Sequence, residues 1–106
     1  MKVFIHGVPD TPHLWKPLIA ALGLQPADYF APALPGFGTP VPKGFACTKD
    51  AYVDYLIAEI EKLDQKIDLV GHDWGALLSQ RIASVRPDLI RTWCVTNAVI
   101  DPEYRG

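Results

Sequence analysis

The chain has 106 residues, of which 49% are hydrophobic and 21% charged, as expected for one globular domain or part of one. Ten lysines and arginines oppose twelve aspartates and glutamates, with no basic block. This balance argues against nucleic-acid binding, because phosphates require clustered positive charge. Two cysteines are too few for a disulfide framework, and the first apolar run is too short for a signal peptide or a membrane span. We therefore expect a cytoplasmic protein with no membrane partner.

Apolar runs and helical spacings alternate along the chain. Four β-rich runs predict strands at residues 3–5, 29–34, 67–70 and 92–96. Three helical patterns separate them, at residues 11–22, 49–63 and 77–85. Pro17 is expected to open the first helix, Thr48 to cap the second, and Pro87 to end the third. The alternation predicts an α/β fold, a three-layer sandwich in which helices cover both faces of a parallel sheet of about four strands.

The most unusual loops follow the first and third predicted strands. They are His6-Gly7-Val8-Pro9 and Gly71-His72-Asp73-Trp74-Gly75. Loops at the carboxyl ends of neighbouring parallel strands open into one crevice. If these two strands are adjacent in the sheet, both loops contribute to a single site.

Residues 71–75 have the form Gly-x-nucleophile-x-Gly at a strand-to-helix turn. The glycines let the backbone bend sharply, so Asp73 stands above the sheet at the amino end of a helix. An ionised aspartate can displace a leaving group from an sp³ carbon and form an alkyl ester, which a histidine-activated water then hydrolyses. The backbone N–H groups of Trp74 and Val8 are the expected oxyanion donors. The alternative is that Asp73 is only a helix N-cap, a position that aspartate favours.

Three segments in this order resemble the amino-terminal half of an α/β-hydrolase with an aspartate nucleophile, the branch that includes epoxide hydrolases and haloalkane dehalogenases. The segments are His6-Gly7-Val8-Pro9, Leu34-Pro35-Gly36-Phe37-Gly38 and Gly71-His72-Asp73-Trp74-Gly75. The resemblance spans essentially the whole chain and implies a single partial domain, 1–106, without a cap. It also implies that Asp73 is the nucleophile, that the Val8 and Trp74 amides form the oxyanion hole, and that the Trp74 indole faces substrate or halide. Structural roles at the site fall to His6, Gly7, Pro9, Gly71, His72 and Gly75.

In this family the catalytic histidine, the orienting acid and the cap come later than the segments matched here. His6 and His72 belong to the two loops, and His13 is expected on the surface, so none is a credible base. Asn97 stands about where some dehalogenases have the orienting acid, but an amide cannot replace a carboxylate in that role. Asp101 is more typical of a surface turn. We therefore expect a chain that is incomplete as given, and that is alkylated at most once when alone.

The resemblance implies a small, mostly apolar electrophile as substrate and requires no metal or organic cofactor. Epoxide-hydrolase-like chemistry is favoured over dehalogenation, because Val8 occupies a position where one dehalogenase group has an asparagine. The alternative is a non-catalytic fragment that acts as a binding or assembly unit, or that a second chain completes. An uncovered sheet edge at Thr92–Thr96 would favour self-association.

Three aromatic residues, Trp15, Phe37 and Phe45, are candidates for the border of the crevice, although aromatic residues at helix starts and loop tips more often serve packing. Cys94 is predicted to lie on a buried strand as an inert thiol.

Overall fold

A computed structural model describes residues 1–7, 11–41, 43–46 and 48–96. The strands are β1 (Lys2–Ile5), β2 (Tyr29–Phe30), β3 (Leu34–Pro35), β4 (Gly38–Thr39), β5 (Ile67–His72) and β6 (Ile90–Thr96). Four of them form a parallel sheet in the order β2-β1-β5-β6, while β3 and β4 pair separately. The predicted fold class is confirmed. The strands before the two unusual loops, β1 and β5, are direct neighbours, as the common crevice requires.

The helices are α1 (Lys16–Leu22), α2 (Lys49–Glu61) and α3 (Trp74–Val85). Short 3₁₀ turns at Pro12–Trp15, Pro26–Asp28 and Pro87–Leu89 precede α1, β2 and β6. Pro17 lies in the first turn of α1. Thr48 caps α2 as predicted, since its side-chain oxygen accepts a hydrogen bond from the Ala51 N–H at 3.1 Å. None of the described helices has the length and apolar character needed to cross a bilayer.

The single strand predicted over residues 29–34 is wrong. The structure divides this region into β2 and β3, which belong to different sheets. Pro32 lies between them and has no N–H to donate to a ladder. At Leu34, the backbone N–H instead donates to the ring of His6, at 2.9 Å. That bond attaches β3 to the carboxyl end of β1.

The main core lies between the sheet and the α2–α3 layer. It consists of apolar side chains that are at most 9% exposed: Val3, Ile5, Leu34, Val53, Leu56, Ile60, Ile67, Leu69, Leu78, Ile82 and Ile90. On the opposite face, Phe4 packs against Trp15 and Tyr29, with ring centroids 5.2 and 6.3 Å away. The α1 helix buries none of its own residues. One face of the sheet is therefore covered far more thickly than the other.

At the β6 edge, side chains are exposed on both faces. Trp93 is 51% exposed, and Cys94 is exposed as well. The prediction of a buried Cys94 is wrong, because no described element covers its face of the edge strand. The exposed edge at Thr92–Thr96 was expected and is observed.

A polar cluster around Asp68 ties β6 to β5. Arg91 and Thr92 donate hydrogen bonds to the Asp68 carboxylate, from Nε at 2.9 Å and from Oγ1 at 2.7 Å. Together with the charge of nearby Lys2, these contacts hold the pKa of Asp68 well below its usual range, the Arg91 hydrogen bond contributing most. The carboxylate therefore stays ionised although its side chain is only 13% exposed.

Candidate active site

Asp73 occupies the N-cap position of α3 with an unusual backbone. Its φ of 57° and ψ of −118° match the first central residue of a type II′ turn, a position that favours glycine. Ordinary N-cap residues have extended backbones and accept a hydrogen bond from the helix. The Asp73 side chain accepts no such bond. The observed geometry therefore differs from that of a capping aspartate, and this backbone conformation costs about 1–3 kcal/mol.

Two glycines hold this bend against its neighbours. A Cβ atom on Gly75 would lie 2.1 Å from the carbonyl oxygen of Ile5, at the end of β1. A Cβ on Gly71 would lie 2.4 Å from both the Gly75 oxygen and the Ser79 Oγ. Neither glycine has a positive φ, so close approach, not backbone freedom, explains their presence. The bend therefore contacts β1 through Gly75 and the first turns of α3 through Gly71.

Gly7 brings the second loop into contact with Asp73. A Cβ on Gly7 would lie 2.7 Å from the Asp73 Cβ and 2.9 Å from its Oδ2. The carboxylate therefore rests directly against the backbone after β1. Val8 and Pro9 follow, but they lie outside the described residues, so the oxyanion role of the Val8 amide stays a prediction.

Trp74 is the first residue of α3. The N–H of a residue in this position has no acceptor within its own helix and adds to the positive end of the helix dipole. Both effects favour a negative charge at the amino end of α3, where the Asp73 carboxylate lies. The Trp74 side chain is 42% exposed.

His6 is fully buried at the end of β1. Its Nδ1 donates to the Gly7 carbonyl at 2.8 Å, and its Nε2 accepts from the Leu34 N–H at 2.9 Å. One ring nitrogen donates while the other accepts, which is the pattern of a neutral imidazole protonated on Nδ1. The ring thus joins the loop after β1 to β3.

The other two histidines lie elsewhere. His72 Nδ1 is hydrogen-bonded to Thr96 Oγ1 at 2.9 Å, and the ring meets Trp15 edge-on at 6.3 Å. Trp15 is 6% exposed and stacks on Phe4, so it is a packing residue and not a border of the crevice. His13 is exposed in the turn before α1, as predicted. No histidine of this chain is thus placed as a free base beside Asp73.

The end of β6 also reaches the bend. The Asp73 N–H donates to the Thr96 carbonyl at 3.1 Å. Asn97 and Asp101, the two residues considered for the position of the acid, lie outside the described residues.

A cavity of about 420 Å³ lies beside the bend. Its walls come from the β3–β4 segment, α2 and α3: Leu34, Pro35, Gly36, Phe37, Val41, Lys49, Tyr52, Trp74 and Leu78. Phe37 is therefore a wall residue, whereas Phe45 packs on Tyr52 with ring centroids 4.9 Å apart. In the sequence, the helical spacing of Tyr52, Leu56 and Ile60 is the available signal for Tyr52, and no pattern points to Lys49. Asp73 is not a wall residue, and Trp74 links it to the cavity.

The described residues contain no group of three or more histidines, cysteines or acidic residues able to hold a metal ion.

A model of the alpha/beta hydrolase family matches residues 3–105. The chain belongs to the α/β-hydrolase family. The resemblance found in its sequence is thereby confirmed. A haloalkane dehalogenase of Bradyrhizobium diazoefficiens is 36% identical over 93 residues, which are 84% of this chain and 29% of the dehalogenase. An epoxide hydrolase of Siraitia grosvenorii is 31% identical over 94 residues, with the same two coverages, 84% and 29%.

Solved structures give the same result for this α/β-hydrolase. An epoxide hydrolase from Vigna radiata matches with a TM-score of 0.80 at 29% identity, over 98% of this chain and 36% of that protein. A loop variant of a haloalkane dehalogenase from Bradyrhizobium elkanii matches with a TM-score of 0.79 at 29% identity, over 92% of this chain and 33% of the dehalogenase. The chain corresponds to the amino-terminal part of these relatives and spans about a third of their length.

Proposed function

We propose that this chain is the nucleophile-bearing part of an α/β-hydrolase that opens epoxides or displaces halide, with Asp73 forming an alkyl-enzyme ester. The observation that carries the proposal is the state of Asp73. Its backbone adopts a glycine-like conformation, its carboxylate lies against Gly7, and its side chain makes no capping hydrogen bond to α3. Strain of this kind persists where the surrounding structure enforces it, and it is concentrated at active sites.

In the proposed reaction an Asp73 carboxylate oxygen attacks an sp³ carbon. With an epoxide, the carbon–oxygen bond breaks, and the departing oxygen keeps the electron pair and takes a proton from water. With an alkyl halide, the carbon–halogen bond breaks and the halide leaves with the pair. The Trp74 N–H at the start of α3 is the proposed donor to the negative charge on the Asp73 carboxyl group. The Trp74 indole is the candidate contact for the leaving group.

Hydrolysis of the resulting ester requires a base that activates water. Both ring nitrogens of His6 are engaged, His72 is bonded to Thr96, and His13 lies on the surface. The base is therefore proposed to come from outside these 106 residues, and the ester on this chain alone is expected to persist. Its persistence makes the first chemical step directly observable.

Of the two reactions, epoxide opening is proposed first, because Val8 has no side-chain donor for a halide. The relatives support both reactions, since they include named epoxide hydrolases and haloalkane dehalogenases. The second candidate is a non-catalytic assembly unit, which the exposed β6 edge favours. Cytoplasmic location stays a prediction from composition.

Intact-mass spectrometry after incubation with excess styrene oxide tests the proposal. The expected result is one adduct with the mass of the whole epoxide, absent from Asp73→Asn and retained in Asp88→Asn. Asp88 is a suitable control because it is an exposed aspartate paired with Arg86. An adduct that survives in Asp73→Asn would contradict the proposal. A folded wild-type chain that forms no adduct with an epoxide or an alkyl chloride would favour the assembly unit.

A further inference from the structure

The Asp73 backbone is hydrogen-bonded on both sides of its strained bend. On the amino side, its N–H donates to the Thr96 carbonyl at 3.1 Å. On the carboxyl side, its carbonyl accepts from the Ala76 N–H at 3.0 Å and from the Leu77 N–H at 3.3 Å, both in the first turn of α3. A change in φ at Asp73 rotates the first of these peptide groups, and a change in ψ rotates the second. These bonds therefore oppose relaxation of the positive φ.

The peptide group before Asp73 has a further attachment through the side chain of His72. The His72 Nδ1 is hydrogen-bonded to the Thr96 Oγ1 at 2.9 Å, so Thr96 bonds to two consecutive residues, one through its side chain and one through its carbonyl. The His72 ring also meets Trp15 edge-on, with the ring centroids 6.3 Å apart, and Trp15 is 6% exposed. The ring thus contacts both β6 and a buried indole, and both contacts restrict its rotation.

Among these hydrogen bonds, the one between His72 and Thr96 is made by two side chains. The two residues are partners in the register of β5 and β6, at the carboxyl end of both strands. In the sheet that the structure describes, β6 is an edge strand, so no further strand holds Thr96 in place. The side-chain hydrogen bond therefore adds support to the bend where the sheet itself gives least.

We propose that His72 and Thr96 are positioning residues, whose hydrogen bond fixes the peptide group before Asp73 and thereby the direction in which the Asp73 carboxylate projects. Loss of this bond lets the carboxylate adopt other directions, so fewer molecules hold it ready for attack. The inference rests on the proposed function, because direction matters only if Asp73 attacks a substrate. The support of the backbone is nevertheless measurable without any reaction.

A matched pair of threonine substitutions tests the inference. Thr96→Val removes the hydroxyl at the bend and keeps the β-branched shape, whereas Thr92→Val removes a hydroxyl that donates to Asp68 at 2.7 Å, near the other end of β6. The rate of adduct formation between styrene oxide and Asp73 should fall about threefold in Thr96→Val, as for loss of one weak hydrogen bond, and stay unchanged in Thr92→Val. Thr96→Ser keeps the hydroxyl and should restore the rate. A rate unchanged in Thr96→Val, or not restored in Thr96→Ser, would overturn the inference.

A double-mutant cycle tests whether Thr96 acts through His72. His72→Phe keeps an aromatic ring beside Trp15 and removes the hydrogen bond from the other partner. We expect the adduct rate to fall by about the same factor as in Thr96→Val, and the double variant to be no slower than either single variant. Losses that multiply in the double variant would contradict the pairing.

Amide exchange at Asp73 measures the support of the backbone without a substrate. The Asp73 N–H is bonded to the Thr96 carbonyl, so freer motion of this peptide group should accelerate its exchange about threefold in Thr96→Val. Exchange should stay at the wild-type rate in Thr96→Ser and in Thr92→Val. Exchange that is unchanged in Thr96→Val would overturn the inference.

The inference and the proposed function fail separately. An adduct at Asp73 whose rate is independent of the Thr96 hydroxyl would leave the proposed function standing and remove the positioning role. Exchange that depends on this hydroxyl, in a chain that forms no adduct, would remove the proposed reaction and leave the pair as a support of the bend.

Discussion

The centre of the sheet and its β6 edge are held by different forces. At the centre, Gly71 and Gly75 allow backbone to lie on backbone, and no side chain can be inserted between them. At the edge, the Asp68–Arg91 pair ties β6 to β5, while Trp93 stays 51% exposed. The candidate nucleophile thus stands between two glycines that lie in close contact with their neighbours. The edge depends on interactions that pH and single substitutions can weaken.

The largest effect is expected from Gly75→Ala. The added methyl group would lie 2.1 Å from the Ile5 carbonyl oxygen, so β1 and α3 must separate. We expect the free energy of unfolding to fall by about 3 kcal/mol, as for severe overpacking. Urea denaturation followed by circular dichroism measures this change.

Gly23→Ala is the control for glycine loss without crowding. Gly23 has a φ of 67° and nothing within 4 Å of an added Cβ. Only the backbone penalty of about 1 kcal/mol is expected there. Equal losses of unfolding free energy in Gly75→Ala and Gly23→Ala would contradict the conclusion that close contact with β1 requires a glycine at residue 75.

The constraint at the centre was partly predictable. Gly71, Asp73 and Gly75 identify the bend by their spacing, and the spacing predicts that the carboxylate projects. The reason for Gly75 was not predictable, because it depends on the Ile5 carbonyl at the end of β1, which is distant in sequence. The same limit explains why the sequence pattern predicts one strand over residues 29–34, since the bond from Leu34 to His6 is a tertiary contact.

The cavity was also not predictable from sequence patterns. Its walls come from three separate elements, and their apolar side chains resemble ordinary core residues in the sequence. The spacing of Tyr52, Leu56 and Ile60 indicates one face of α2 but not a cavity beside it. The opening beside it arises from the β3–β4 pairing, which has only two residues in each strand and no periodic signal.

At the edge, Asp68→Asn should have the next largest effect. The substitution removes a charge that accepts hydrogen bonds from Arg91 and Thr92, so we expect a loss of about 1.5 kcal/mol. Amide exchange should accelerate along β6 and stay slow along β1. Uniform acceleration in both strands would show that the edge is not a separate weak region.

The same cluster predicts a pH dependence. The pKa of Asp68 is lowered in the folded chain, so its contribution to stability is complete above the unfolded value of about 3.9 and declines as pH falls below it. The stability of the wild type should therefore decrease more steeply below pH 4 than that of Asp68→Asn. Parallel curves from urea denaturation across this range would contradict the assignment.

Asp73→Gly should be more stable than Asp73→Ala. Glycine adopts the observed φ of 57° without the steric cost that aspartate bears, which predicts a gain of about 1 kcal/mol relative to Asp73→Ala. Thermal unfolding of the two variants measures the difference. Equal stabilities would mean that the bend stores no strain at this residue.

The smallest change in stability is expected from Trp93→Lys, below about 0.5 kcal/mol, because the site is exposed. Its effect should instead appear in association, since a charged residue on an edge strand opposes strand pairing. Sedimentation velocity should show concentration-dependent association of the wild type that Trp93→Lys reduces. Leu22→Lys, at a site 52% exposed on α1, is the matched control and should leave association unchanged. The reverse pattern would assign association to α1.

Tandem mass spectrometry of the styrene-oxide adduct tests the account most directly, because it identifies which of the twelve acidic residues carries the ester. The account predicts a single modified peptide with the ester on Asp73. An ester distributed over exposed carboxylates such as Asp54 and Asp88, with Asp73 unmodified, would contradict it.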